Sequence, residues 1–273
     1  MASLAVLTVS DRRNTPPAKD LHMKYQIKQL GVGGILDQSI NLLRNHFGLL
    51  FGIVATTIIP VQAILGLVQY SLIVGGDPQS GVLVAALGNI AFGLIMAPLV
   101  NAAMIHAIAS VYLSRSTTLV ECFGHATGRY LALLGTTILM GLAIMGGFIL
   151  LIIPGFLFSF WFILAQHVTV LEGTAGRAAL GRSKALMKGN IDAVFRLLLV
   201  VGLVNFGMGI GAGMIPQPHA RIVAIAVAQG IGTLLATCAL VVFYFSCRCK
   251  LENFDLQVLA DAVGAGAEVQ PVD

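Results

Sequence analysis

Charge is what this chain has least of. Acidic and basic side chains make up 10% of its 273 residues, while apolar residues make up 57% and the mean hydropathy is +0.90. Soluble domains carry roughly 25% charge, and a soluble chain of this length has no means of hiding so much apolar surface. A water-soluble globular protein is therefore excluded. Cysteine occurs four times, at Cys122, Cys238, Cys247 and Cys249, all at helix ends or inside apolar runs. Cys247-Arg248-Cys249 has no spaced Cys/His partners, so neither a zinc site nor a disulfide framework is expected. Also missing are a G-x-S-x-G elbow, a paired-carboxylate site and an H-E-x-x-H motif. These absences argue against an enzyme, and no metal, cofactor or nucleic-acid site is expected.

What the chain has is long apolar runs. Six of them, at approximately 47–72, 82–113, 130–152, 155–171, 192–215 and 222–246, reach the length of about 20 residues that carries a helix across a hydrocarbon core. A transmembrane barrel would instead alternate apolar and polar residues over about 10 positions. "GLAIMGGFILLIIPGFLFSFWFILA" does not alternate. The expected fold is all-α: a polytopic integral membrane protein with six transmembrane helices arranged as three hairpins.

The basic residues divide fifteen to one between the two sets of connections. Arg12, Arg13, Lys19, Lys24, Lys28 and Arg44 precede the first run, and Arg115 and Arg129 follow the second. Arg177, Arg182, Lys184, Lys188 and Arg196 follow the fourth, and Arg248 and Lys250 follow the sixth. The opposite connections, "GGDPQSG", "IIPG" and "IPQPHAR", hold Arg221 alone. By the positive-inside rule both termini are expected in the cytoplasm.

The basic connections are also amphipathic. In residues 174–190 Arg177, Lys184 and Lys188 share one helical face, with Ala179, Leu180, Leu186 and Met187 on another. Before the first run Leu36, Ile40, Leu43 and Phe47 share a face opposite Asp37, Asn41 and Arg44. Before the third, Leu119, Phe123, Ala126 and Tyr130 repeat the same spacing. Three cytoplasmic-side elbow helices lying in the headgroup plane are expected, each followed by a helical hairpin. The resulting degenerate repeats span about 33–113, 116–171 and 174–247. The expected organisation is a flexible tail over 1–28, a six-helix membrane domain over 29–252 and a cytoplasmic tail over 253–273. Residues 1–22 lack the basic n-region of a signal peptide.

Two segments carry a resemblance. "VLEGTAGRAALGRSKALMKGN" (170–190) and "YFSCRCKLENFDLQVLAD" (244–261) resemble conserved stretches of the bacterial glycerophosphoryl diester phosphodiesterase membrane-domain family and related six-span proteins. "GVGGILDQSINLLRNHFGLL" also suits that family. The resemblance implies the membrane module alone, since no hydrophilic stretch has the ~100–150 residues of a soluble catalytic domain. It further implies a bacterial cytoplasmic (inner) membrane.

No Asp, Glu, Lys or Arg falls within a run's core, so the titrating group of a proton-coupled transporter is missing. The intramembrane polar residues are Gln62, Gln69, Asn89, Asn101, His106, Gln166, His167, Asn205 and Gln229. Of these, Asn101, His106, Gln166, His167 and Asn205 are candidates for interhelical hydrogen bonding or for lining a headgroup cavity, with His106 meeting His167. Gly207, Gly209, Gly211 and Gly213 form overlapping small-x-x-x-small pairs expected to pack a helix. Pro154-Gly155 is expected to make the turn between the third and fourth spans. Glu172, Arg182, Glu252 and Asp255 read as solvated or salt-bridged interfacial groups; the alternative has Glu172 and Arg182 pinning the third elbow to the fourth span. The expected function is a non-enzymatic lipid-binding membrane protein. Its basic rim of Arg44, Arg129, Arg177, Arg182, Lys184 and Lys188 would meet anionic cytoplasmic-face lipid, a membrane protein partner or a second copy. The alternative is a passive transporter or channel for a small or amphipathic solute.

Overall fold

The computed structural model describes residues 28–254, and among them helices form without a strand. Six stretches are long and apolar enough to cross a membrane: Phe47–Val74, Pro78–Tyr112, Tyr130–Leu150, Ile152–Glu172, Ile191–Gly213 and Pro218–Glu252. They agree with the six apolar runs to within a few residues, and the protein is an all-α, multi-pass membrane protein. Consecutive spans pack as three hairpins.

The elbows are present as helices α1 (Val32–Asn45), α6 (Leu119–Gly128) and α10 (Gly176–Met187), each leading directly into a span. The first span is α2 (Phe47–Thr56) and α3 (Ile58–Val74), and the second is α4 (Pro78–Ala91) and α5 (Ala97–Tyr112) joined by a π turn over Phe92–Met96. The third is α7 (Tyr130–Leu150), and the fourth is α8 (Ile152–Phe162) with α9 (Ala165–Glu172). The fifth and sixth are α11 (Ile191–Gly213) and α12 (Pro218–Glu252). Because the spans run alternately up and down, all three elbows share one end of the bundle and the three short connections share the other.

The breaks in the first two spans have local causes. Pro60 has no N–H to offer the carbonyl of Thr56, and the helix interrupts at Thr57 (φ −123°, ψ −68°). Pro98 likewise leaves the carbonyl four residues back without its donor, and the widened turn lies directly before it. Tyr130 takes up a carbonyl in that turn, its hydroxyl donating to Ile95 O at 2.9 Å.

The turn between the third and fourth spans lies at Leu151 (φ −166°, ψ 150°), not at Pro154-Gly155. Pro154 occupies the first turn of α8, where a missing N–H leaves no intrahelical bond unmade. Gly155 serves close packing: a Cβ there would fall 2.4 Å from the Phe148 ring, and one on Gly147 would fall 3.0 Å from the Gly155 Cα. Within the chain itself Gly207, Gly209, Gly211 and Gly213 make no close approach: a Cβ on any of them meets nothing within 4 Å. Close approach occurs instead at Gly66 against Ile222, Gly88 against Leu65, and Gly230 against Val54.

The core is concentrated toward the elbow end. Leu42, Ile53, Met104, Ile108, Leu133, Leu164, Leu186 and Tyr244 are among its fully buried members. The short-connection end leaves Leu150, Leu151, Ile152 and Ile153 outward, from 67% to 81% exposed, as suits side chains facing acyl chains rather than protein.

Candidate functional site

At the elbow end the two segments that carried the resemblance meet. Glu172, at the end of the fourth span, accepts one N–H of Arg182 Nε shared between its two oxygens, at 3.1 and 2.9 Å, and a bond from the Tyr244 hydroxyl at 2.7 Å. The Arg182 guanidinium also pairs with Glu252, which accepts from Arg248 at 3.0 Å. The groups are salt-bridged, as one reading expected, and the Glu172–Arg182 pair also pins the third elbow to the fourth span, with Glu252 extending the tie to the sixth. Ser183 adds a hydroxyl bond of 2.7 Å to the Trp161 carbonyl, and Lys184 places its ammonium 4.0 Å from the Trp161 ring centre. Asp255 lies outside the described residues.

These contacts divide the basic rim. Arg182 and Lys184 are engaged within the protein, and Arg129 is half-buried, its guanidinium donating to Thr169 O at 3.4 Å. Arg44, Arg177 and Lys188 are exposed and form no ion pair among the described residues. Around them the elbows behave as the wheel predicts for α10, where Ala179, Leu180, Leu186 and Met187 are buried together with Ser183. Helix α1 differs. Its protein-facing side is Ile35, Ser39 and Leu42, and the expected apolar face is divided: Leu36 and Leu43 pack half-buried against the core, while Ile40, 54% exposed, and Phe47 at the start of α2, 46% exposed, turn outward. This elbow thus sets Ile35, Leu36, Leu42 and Leu43 toward the bundle and turns Ile40 outward beside the exposed Asp37, Asn41 and Arg44.

The expected meeting of His106 with His167 is replaced by two separate arrangements. His106 stacks on His125 of the second elbow, with ring centres 4.1 Å apart. Desolvation, reinforced by the Arg129 charge, holds His125 below the ordinary histidine value. His167 is buried, and neither ring nitrogen has a hydrogen-bond partner among the described residues. No group of three or more His, Cys, Asp or Glu that could hold a metal ion occurs among the described residues. The four cysteines are buried and form no disulfide, and burial pushes the Cys122 thiol upward, which suits an inert thiol.

The remaining intramembrane amides gather around a cavity of about 490 Å³ between the first, second, fifth and sixth spans. Its polar lining is Gln62, Asn101, Asn205, Gln229, Thr233 and Thr237. Asn101 donates to Gln166 at 3.4 Å, and Gln166 donates to Thr137 at 3.0 Å, so Gln166 stands behind the wall rather than in it. Asn205 donates to Val201 O at 3.0 Å, and its Oδ1 occupies the space a side chain on Gly232 would need. A second cavity of about 320 Å³ shares Gln62 and Gln229 and continues past Gln69 and Asn89 toward Tyr70. The helix interruptions at Thr57 and over Phe92–Met96 lie in the walls of the larger cavity, next to Ile58 and Phe92. The sequence marks Gln62 and Gln229 as intramembrane polar residues but singles out only Asn101 and Asn205 of this lining, and it does not mark the two threonines. Pro60 and Pro98, each within three residues of one of these amides, were the available signal.

The fold and these sites define a six-span, all-α membrane protein with an ion-paired elbow end and an amide-lined interior. Residues 125–269, more than half the chain, match DUF8558, a domain of unknown function, and the chain belongs to that family. The match includes every member of the Glu172–Arg182–Tyr244–Arg248–Glu252 cluster. No curated protein matches the chain, and no solved structure matches it either.

Proposed function

We propose that this is a non-enzymatic integral membrane protein whose elbow end faces the cytoplasm of a bacterial inner membrane and binds anionic lipid there. The observation that carries this reading is the state of Arg44, Arg177 and Lys188: exposed, on elbow helices, and without an ion pair among the described residues. Arg129 and Arg182, half-buried and bonded to protein, and Lys184, exposed but held over the Trp161 ring, drop out of the lipid-facing rim. Outward Ile40 on α1 and Phe47 directly after it support the same reading, since a helix in the headgroup plane buries such side chains in the acyl boundary. Each basic residue near an anionic surface contributes on the order of 1 kcal/mol. The triple variant Arg44→Gln, Arg177→Gln, Lys188→Gln should therefore cut the preference for phosphatidylglycerol over phosphatidylcholine, measured by native mass spectrometry from mixed-lipid nanodiscs, by at least tenfold. An unchanged preference removes the rim from the mechanism.

The amide-lined cavity favours a second reading, a passive path for a small or amphipathic solute. Solute flux into reconstituted vesicles that is lost on Asn101→Leu would support it.

A further inference from the structure

We propose that the cavity between the first, second, fifth and sixth spans is a binding site for an uncharged, hydroxyl-bearing group, and that its occupant enters from the short-connection end. This inference stands independently of the basic rim.

The lining residues specify the chemistry. Gln62 and Gln229 form no side-chain hydrogen bond to protein among the described residues, so each presents a carbonyl acceptor and an amino donor to the cavity. Asn101 and Asn205 are oriented from behind, through Gln166 and through the Val201 carbonyl. Thr233 and Thr237 donate to their own helix, at 2.8 Å each, and turn the remaining acceptor capacity of their hydroxyls outward. No Asp, Glu, Lys, Arg or His lines the space. A phosphate or carboxylate would lie inside a membrane without a counter-charge, a costly arrangement. A wholly apolar occupant would leave the amides without partners, which is also unfavourable. A group carrying several hydroxyls, each both donor and acceptor, meets neither objection.

The volume, about 490 Å³, falls in the range typical of small-molecule sites, roughly 300–1,000 Å³. The extension of about 320 Å³ past Gln69 toward Tyr70 opens away from the densely packed elbow end. The shared chemistry has two sources, the sugar headgroup of a neutral glycolipid or a free polyol, and the experiment separates them.

The test uses the full-length protein with two probes: monoglucosyl-diacylglycerol in phosphatidylglycerol nanodiscs, read by native mass spectrometry, and glycerol entry into proteoliposomes, read by stopped-flow light scattering. Retention of the glucolipid without glycerol entry identifies the headgroup source; glycerol entry above that of empty vesicles identifies the free polyol. In either case the near-isosteric pair Gln62→Met, Gln229→Met should reduce the signal at least tenfold while leaving the thermal midpoint unchanged or raised, because it removes unpartnered amides from an apolar interior. Should the pair fail to insert, Gln229→Met alone is expected to lose at least threefold. The rim triple variant should leave both signals unaltered. The proposal is overturned if neither probe binds or enters, if the methionine variants bind as well as the parent, if phosphatidylglycerol competes equally for the cavity, or if lost binding is matched by a lowered thermal midpoint.

Discussion

The elbow half and the short-connection half of the bundle are built from the same kind of apolar helix, yet they are held together differently. In the elbow half, side chains such as Leu42, Met104, Leu164 and Leu186 are fully buried, and Arg182 sits between two carboxylates from different spans. In the other half, the fifth span presents Gly207 through Gly213 with nothing close by, and the tip of the second hairpin points Leu150 to Ile153 outward. The difference shows where specificity of packing is needed. Lipid is as good a partner as protein for an apolar side chain, so the outer half gains little from close contact. The elbow half must position helices that lie across the bundle, and only directional bonds do that.

Removing the arginine at the centre of the ion-paired end should have the largest effect. Arg182→Met removes the cation shared by Glu172 and Glu252, which keep Tyr244 and Arg248 as partners, and should lower stability in detergent by about 2–3 kcal/mol, below the full cost of breaking a buried pair because the groups are partly solvated and keep other partners. Thermal melts of the purified variant check this. A loss within error of zero would mean that the elbow half is held by apolar packing alone. Tyr244→Phe removes a single charge-assisted bond of the same cluster and should cost about 1.5 kcal/mol in the same assay.

The opposite half should respond with the opposite sign. Gly209→Ala adds a methyl group where nothing lies within 4 Å and improves helix propensity, so a gain of about 0.5 kcal/mol is expected. A loss instead would reveal a second copy packed on that face. The smallest effect concerns acid. Because His125 is held below its ordinary value of 6.5 in the folded protein, the unfolded chain takes up the proton first as pH falls. Its contribution is therefore present above about pH 6.5 and is lost on acidification toward its folded value, and melts at pH 7 and pH 5 should differ less in His125→Gln than in the parent.

The spans and elbows were legible because membrane length and amphipathic period are properties of single segments, readable one helix at a time. What the sequence concealed depended on pairs of segments. His106 finds His125 rather than His167 because the second elbow folds back on the second span, and nothing within either segment announces that docking. The small-x-x-x-small pattern of the fifth span looked like a packing face, but whether a neighbour fills it is decided by the hairpin's tilt, which glycines do not encode. The cavity was half visible. Its amides stood out as polar residues in apolar runs, while their convergence required the interruptions at Pro60 and Pro98 to be read as shaping one wall.

The sixth helix runs unbroken for 35 residues, about 52 Å at 1.5 Å per residue, against a hydrocarbon core of about 30 Å. It is also the last of the six to leave the ribosome. Until it arrives, Glu172 has no Tyr244, Arg182 has no Glu252, and the Leu30 amide has no Ser246 hydroxyl at 2.9 Å. The first five spans therefore wait in the bilayer as an incomplete set, with a polar interior open on one side. Insertion of this one helix closes the interior and ties the first and third elbows together, so the contacts that join the two ends of the chain are completed only by its last span.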